Sequence, residues 1–275
     1  MANIDGYYVN LDKATDRRAY LDAKLNQLGL EKQIKRFAAL QGDSRPSHIT
    51  KGELGCFLSH QNILNNAANN AYTLILEDDI ILTSMFAKYL NTFIDNIGGN
   101  YDILFFNGGV EFRDIHRLSL LIKFKNELGD IYNDNFSNFK LLDATQWYLH
   151  GTSAYIVNPL SKNKIVNLMN DEEKNGFTRP IDLFYNQSIR ENKITAAVFF
   201  PFLTGINWDF PSQMGQERAS TSASFYYDFI VNLFVAGGDI SALKLSAYEI
   251  LHSSPLNCDA FIVSQLIYKK LAADV

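Results

Sequence analysis

The sequence predicts an α/β domain: a mostly parallel sheet flanked by helices, with a helical C-terminal extension. Two observations carry this expectation. Short apolar runs rich in β-formers alternate along the chain with segments of helical period. One of these runs, at 72–80, is apolar at every position from Leu74 to Leu76 and then ends in Glu77, Asp78 and Asp79. A strand of that kind is buried on both faces, as in a parallel sheet, and its carboxyl end is where open α/β sheets bind ligands.

Residues 6–10 read as the first strand. A helix follows over about 16–28, with Leu21, Leu25 and Leu28 at helical spacing and Gly29 as its stop. Phe37 to Leu40 leads into a polar loop that contains Pro46. Thr50 and Glu53 have the spacing of a capping box, and the helix they start carries Leu54, Phe57, Leu58 and Leu64. The acid-tipped strand comes next, then a strand at 101–106 broken by Asn107, Gly108 and Gly109. Residues 110–143 show no clean period and read as a variable insertion or loop. A strand at 153–157 is followed by a helix opened by Asn158 and Pro159, and Pro180 at an N1-like position starts another. The last strand spans 194–200 and is closed by Pro201. We place a first domain at 1–220 and a helical extension at 221–275. In that tail Phe225 to Phe234 is greasy, Gly237 and Gly238 break it, and Ile240, Leu243, Ala247 and Leu251 share one face. It reads as a subdomain packed on the core, with contact to a membrane or a partner as the sharper alternative.

A chain of 275 residues can bury a sizeable core, and its net charge of −5 speaks against a general nucleic-acid footprint. Phosphate partners would need a local basic or metal site. Two cysteines, Cys56 and Cys258, make no disulfide framework and suit a reduced, cytoplasmic setting. The first residues lack the basic and apolar regions of a signal peptide, and no apolar run reaches the length of a spanning helix.

Three adjacent carboxylates resist burial together, so a positive group should compensate them. Oxygen ligands at such a place suit a hard divalent ion that can in turn hold phosphate oxygens, whereas an acidic turn could simply solvate the strand's exit. Arg17 and Arg18 open the first helix against its dipole, which hints at a phosphate-directed task. Cys56 and His60 lie one turn apart on the helix from Thr50, with Glu53 on the same side. Zinc would need two more ligands, and no second Cys/His pair stands at suitable spacing, so a buried thiol beside a hydrogen-bonded histidine is the default. Ser59 serves packing or a ligand. Asp182 sits in the first turn of its helix, either favouring the dipole or acting as a carboxylate base at a cleft edge. His150, Gly151, Thr152 and Ser153 precede a strand, with glycine allowing close backbone approach. His48 and His116 read as structural, and His252 is a ligand candidate by position alone.

Several blocks, in order, resemble glycosyltransferase family 25, which includes bacterial lipooligosaccharide β-galactosyltransferases and relatives of the collagen galactosyltransferases. They are Tyr8-Val9-Asn10-Leu11 with Asp16-Arg17-Arg18, and Gly52-Glu53-Leu54-Gly55-Cys56-Phe57-Leu58-Ser59-His60. Leu76-Glu77-Asp78-Asp79-Ile80, Gly151-Thr152-Ser153-Ala154-Tyr155-Ile156-Val157 and Pro180-Ile181-Asp182 complete the set, which covers roughly the first 220 residues. The resemblance implies a GT-A (Rossmann-like) fold, a UDP-sugar donor, most simply UDP-galactose with glucose and N-acetylhexosamine donors as the alternatives, and inversion at the anomeric carbon. Glu77, Asp78 and Asp79 would be the family's acidic metal motif, with Glu77 and Asp79 holding Mn²⁺ or Mg²⁺ against the donor diphosphate. Glu77 replaces aspartate at the motif's first position, so it either binds metal or orients the ribose. Arg17, Ser59, His60, Asp78, Gly151 and Thr152 would lie by the donor.

Inversion in one displacement needs a base on the face opposite the leaving group. Asp182 is the choice and Glu111 the reserve. The 110–143 region would shape acceptor choice, with Tyr132, Phe136 and Trp147 available to stack on sugars. The implied acceptor is an oligosaccharide or lipid-linked glycan of a bacterial surface polymer, which would bring a cytoplasmic enzyme to the inner membrane peripherally through its tail. Competing readings are a metal phosphohydrolase, which lacks an obvious nucleophile motif, and a non-catalytic sugar-binding domain, against which the retained acids argue.

Overall fold

A computed structural model describes residues 3–109, 114–128, 139–207, 209–210 and 222–238, with backbone alone at 91–98, 115 and 222–227. The chain opens with β1 (Ile4–Asn10), α1 (Thr15–Gln27), β2 (Ile34–Ala38) and α2 (Lys51–Asn66). Next come β3 (Tyr72–Glu77), β4 (Ile80–Leu82), α3 (Ser84–Ile97) and β5 (Ile103–Phe105). They are followed by α4 (Ile115–Leu128), β6 (Lys140–Asp143), α5 (Ala144–Trp147) and β7 (Ala154–Val157). The described part ends with α6 (Lys162–Lys174), α7 (Ile181–Arg190), β8 (Ala196–Phe200), β9 (Thr204–Ile206) and α8 (Ser222–Leu233).

A seven-stranded sheet runs in the order β2-β1-β3-β7-β5-β8-β6. β1 pairs in parallel with β2 and β3, and β5 with β8. β7 lies antiparallel between β3 and β5, and β6 closes the edge antiparallel to β8. The sheet is thus mixed, with five strands running one way and β6 and β7 the other, in an α/β layering of the Rossmann-like kind. β4 and β9 form a separate antiparallel pair beyond the end of β3.

Period-two side-chain alternation divides the core into two clusters, one on each face. Ile75, Phe105, Tyr155 and Val198 face α2, α6, α7 and α8, whereas Leu74, Leu76, Leu104, Ile156 and Phe199 face α1 and α3. The helix signals in the sequence hold locally. Thr50 Oγ1 accepts from the Glu53 amide at 3.3 Å and Glu53 returns a carboxylate to the Thr50 amide at 3.0 Å, closing the capping box. At the end of α1, Gly29 takes φ +69°, and the Leu30 and Gly29 amides reach back to the Leu25 and Asn26 carbonyls.

Several expectations need correction. The 110–143 region contains α4 and β6. Leu118, Leu121 and Lys125 supply α4's buried face, a stripe diluted by His116, Arg117 and Lys123. β6 buries only Leu142 fully and so shows little alternation. β2, β4 and β9 were not anticipated, and β9 rather than β8 is the last described strand. Pro180 caps α7 from the position before its first residue. In the described part of the tail, Phe229, Ile230, Val231, Leu233 and Phe234 are buried in the core, and α8 packs on β9. Among the described residues no helix is long and apolar enough to cross a membrane. Glu111, Tyr132, Phe136, His252, Cys258 and the apolar face from Ile240 to Leu251 lie outside the described residues.

Candidate active site

β1 and β3 are neighbours in register, Val9 opposite Glu77, so Asn10 and the three acids emerge side by side from the sheet. The short β1–α1 turn brings Arg17 back over them. Its Nη1 donates to Asp78 Oδ1 at 2.7 Å and to Asp79 Oδ2 at 3.1 Å. Asn10 Nδ2 donates to Asp78 Oδ2 at 2.7 Å and to the Ala14 carbonyl at 3.1 Å. Asn10 is itself oriented by Arg36, whose Nε donates to Asn10 Oδ1 at 2.9 Å. The Phe210 ring centroid lies 5.5 Å from Arg17 Cζ. The compensating cation anticipated for the triplet is therefore Arg17, and the buried ion pair with Asp78 offsets its opposition to the helix dipole.

A cavity of about 320 Å³ opens between these strand ends and the N-terminus of α2. Arg17, Ser59, His60, Glu77, Asp78 and Asp79 all border it, with Lys13 and Lys51 at its cationic side. Its far wall is backbone against backbone. A Cβ on Gly55 would stand 2.5 Å from the Leu40 carbonyl oxygen, and one on Gly42 would stand 2.1 Å from that of Lys51. Ser59 is wholly buried and stitches this wall: its Oγ donates to the Gly55 carbonyl at 2.6 Å and accepts from the Leu40 amide at 2.8 Å.

A second cavity of about 170 Å³ adjoins the first. Glu77, Asp79 and Cys56 line both. Gly151, Thr152 and Asp182 border only this second space. Gly151 takes φ +94°, which brings Thr152 round so that its Oγ1 donates to Glu77 Oε1 at 3.0 Å. Asp182 lies half-buried in the first turn of α7, with Oδ1 accepting from the Leu183 amide at 2.8 Å. Val231 of α8 closes another side. One residue further on, Asn232 brackets Ile206 of β9, accepting from its amide and donating to its carbonyl, both at 2.8 Å. The next residue, Asn207, donates its amide to the Asp79 carbonyl at 2.7 Å. Asp228, one turn before Asn232 on α8, completes the acidic surroundings of Asp79.

The charges are unbalanced. Burial, followed by the charge on Asp79, pushes the Glu77 carboxyl up to about 8. Burial also raises Asp79, against the pull of Arg17, and burial with the Asp79 charge raises Asp228 to about 7. The Cys56 thiol is pushed well up by burial and by Glu77, so it is no nucleophile. Burial alone lowers His60 to about 3 and keeps its imidazole neutral. Among the described residues Arg17 is the cation bonded to these carboxylates, which leaves a deficit of positive charge at Glu77 and Asp79, where the available donors are carboxylate oxygens. Glu77 and Asp79 therefore fit a hard divalent cation, whose arrival would relieve the repulsion. Asp78 does not, being taken up by Asn10 and Arg17.

Arg17, Ser59, His60, Glu77, Asp78, Asp79, Gly151, Thr152 and Asp182 thus each border one or both cavities, whereas Trp147 borders neither. Ser59 and His60 are wholly buried beneath the surface they help form. Sequence reasoning missed Asp228, although a lone acid inside the run Phe225-Tyr226-Tyr227-Asp228-Phe229-Ile230-Val231 was a usable signal. It also missed that Glu77 completes a group with Cys56 and His60, because that carboxylate comes from the end of β3 rather than from α2, where Glu53 was the acid on the same side.

The family model described as Glycosyltransferase family 25 (LPS biosynthesis protein) matches residues 3–184. A "Glycosyltransferase 25 family member" of Aedes aegypti is 35% identical over 126 aligned residues, covering 36% of this chain and 20% of that protein. One of Anopheles gambiae is 30% identical over the same length, covering 36% of this chain and 21% of the relative. Procollagen galactosyltransferase 1 of Danio rerio is 34% identical over 89 residues, covering 30% of this chain and 14% of the relative. The matched segment thus spans about a fifth or less of the length of these relatives.

Proposed function

From the premise that the chain belongs to glycosyltransferase family 25, we propose that it is a metal-dependent, inverting hexosyltransferase. It moves galactose from UDP-galactose to a glycan acceptor in the synthesis of a lipooligosaccharide or surface polysaccharide. The family supports the transferase class, and relatives named as procollagen galactosyltransferases support the sugar. The observation that carries the reading is the pair of adjoining cavities that meet at Glu77 and Asp79. A transferase needs two substrate spaces with the reacting bond at their junction.

The donor occupies the first cavity. Lys13 and Lys51 offer cationic ends to its phosphates, and the nucleoside lies along the wall in which Gly42 and Gly55 let the loop pack on α2. Mn²⁺ or Mg²⁺ held by Glu77 and Asp79 would neutralise the charge that builds on the leaving diphosphate. Arg17 keeps Asp79 aimed at that junction while Asp78 anchors the arginine. The acceptor enters the second cavity. Asp182 takes the proton from its hydroxyl as the oxygen attacks the anomeric carbon from the side opposite the diphosphate. Oδ1 of Asp182 is engaged by the Leu183 amide, so Oδ2 is the receiving atom. Trp147, half-buried at the end of α5, belongs to the acceptor side of the molecule only in a wider sense, since it borders neither cavity.

The test is release of UDP from a panel of UDP-sugars, with Mn²⁺ and then with EDTA. We expect one preferred donor, UDP-galactose, and loss of release on chelation. Asp79→Asn should lower turnover at least about a hundredfold, the scale of removing a charge-stabilising group. Equal turnover by Asp79→Asn, or release indifferent to EDTA, would remove the metal-dependent mechanism.

A further inference from the structure

We propose that Cys56, His60 and Glu77 form a binding site for one borderline-soft divalent ion of the zinc class, set apart from the acidic centre at Asp79 by its sulfur and nitrogen ligands. The inference goes beyond the transferase reading and does not rest on it. One ligand atom from each of the three residues lies within 4.8 Å of the other two. Cys56 and His60 are one turn apart on α2 and project from the same face, while Glu77 arrives from the end of β3.

The histidine carries the second, independent observation. His60 is wholly buried, its Nδ1 lies 2.8 Å from the Tyr155 hydroxyl, and its Nε2 has no hydrogen-bond partner among the described residues. A buried polar atom left unpaired costs about 1–3 kcal/mol, so the arrangement calls for an occupant. With Nδ1–H donated to Tyr155, Nε2 presents its lone pair. The Tyr155 hydroxyl is 3.3 Å from that of Tyr185, which fixes the ring from behind as outer partners of metal-binding histidines do. Thr152 orients Glu77 in the same manner.

The donor set decides the ion. One sulfur, one imidazole nitrogen and one carboxylate oxygen suit Zn²⁺, whereas Mg²⁺ and Mn²⁺ favour oxygen alone. Three protein ligands leave a fourth tetrahedral position, and Cys56 and Glu77 border both cavities, so that position opens on the cleft. On binding, the Cys56 thiol gives its proton to solvent and its sulfur bonds to the ion. Glu77 is the carboxylate this site shares with the acidic centre.

The experiment uses the full chain, reduced and freed of metal by chelation, with Co²⁺ alone as the probe. We expect a near-ultraviolet thiolate-to-cobalt band that saturates at one equivalent and is bleached by Zn²⁺. Cys56→Ala should abolish it, Asp79→Asn should keep it, and His60→Gln should weaken cobalt binding at least about tenfold, the scale of losing one ligand contact. His60 is deeply buried and its replacement can unfold the chain, so the decision rests on Cys56→Ala, checked for an unchanged melting transition. No thiolate band in folded wild type at tenfold excess of cobalt overturns the proposal. So does a band that survives in Cys56→Ala, which would belong to Cys258. Because the readout needs no sugar donor, its failure leaves the transferase reading untouched, and an inactive donor panel leaves this site standing.

Discussion

Asp78 and Asp182 both border the cleft, one in each cavity, and the chain holds them in opposite ways. Asp78 is 6% exposed, and both of its oxygens are bonded to side chains from β1 and α1. Asp182 is half-buried, and the hydrogen bond to its carboxylate comes from the adjacent amide in its own helix. The first is part of the frame. Its charge is spent on fixing Arg17, and through Arg17 on fixing Asp79. The second is attached to a helix end and addressed to whatever enters the second space. In the proposed reading, equivalent side chains serve position in one wall and reaction in the other, and they differ in burial and partner count.

Three substitutions and titrations would break or sharpen this contrast. The largest effect should come from Asp182→Asn. Loss of a general base lowers turnover by about a hundred- to ten-thousandfold, while the melting temperature stays near that of the wild type. Near-normal turnover in a folded Asp182→Asn protein would mean that the base lies elsewhere. Asp78→Asn should do the reverse. Leaving Arg17 partly uncompensated in a buried setting should destabilise the fold by up to about 3 kcal/mol, read from denaturant midpoints. A variant as stable as wild type but dead in turnover would place Asp78 in the chemistry instead.

The remaining effect is one of pH on the metal-free protein. Glu77, raised to about 8, and Asp228, raised to about 7, keep protons in the folded state that the unfolded chain has already lost above about pH 4.5. The folded state binds more protons, so stability falls as pH rises from about 4.5 to 8 and levels off above that. Asp102 works the other way. Burial pushes it up, but hydrogen bonds from Lys164, Ser161 and Thr195 outweigh burial and hold it low, so its contribution disappears in acid. A stability maximum near pH 5 is expected, and Asp228→Asn should flatten the decline towards pH 8. Mn²⁺ should raise the melting temperature more at pH 8 than at pH 5. A decline with unchanged slope in Asp228→Asn would remove that carboxyl from the account.

What the sequence discloses depends on the range of the interaction. The capping box of α2, the Gly29 stop of α1 and the acid-tipped β3 are written within a few residues, and they fold as expected. β7 was visible as a strand but not its direction, because a segment buried on both faces has the same pattern in a parallel or an antiparallel ladder. β4 and β9 are three residues each, too short to show a period. The site was legible as a set of residue types and not as a set of contacts. Arg17 was noticed for opposing a dipole, yet its partner Asp78 stands 61 positions away. Asp228 reaches the same centre from a segment that looked like a separate tail.

The wall formed by Gly42 and Gly55 has a consequence for redesigning this protein. Where main chain meets main chain there is no side chain to exchange, so random variation cannot widen, narrow or recharge that side of the first cavity without forcing the loop off α2. A mutant library aimed at a new sugar nucleotide would waste those positions. Diversity placed at Leu11, Lys13 and Lys51, which border the same space and carry side chains to exchange, is the diversity the scaffold can absorb.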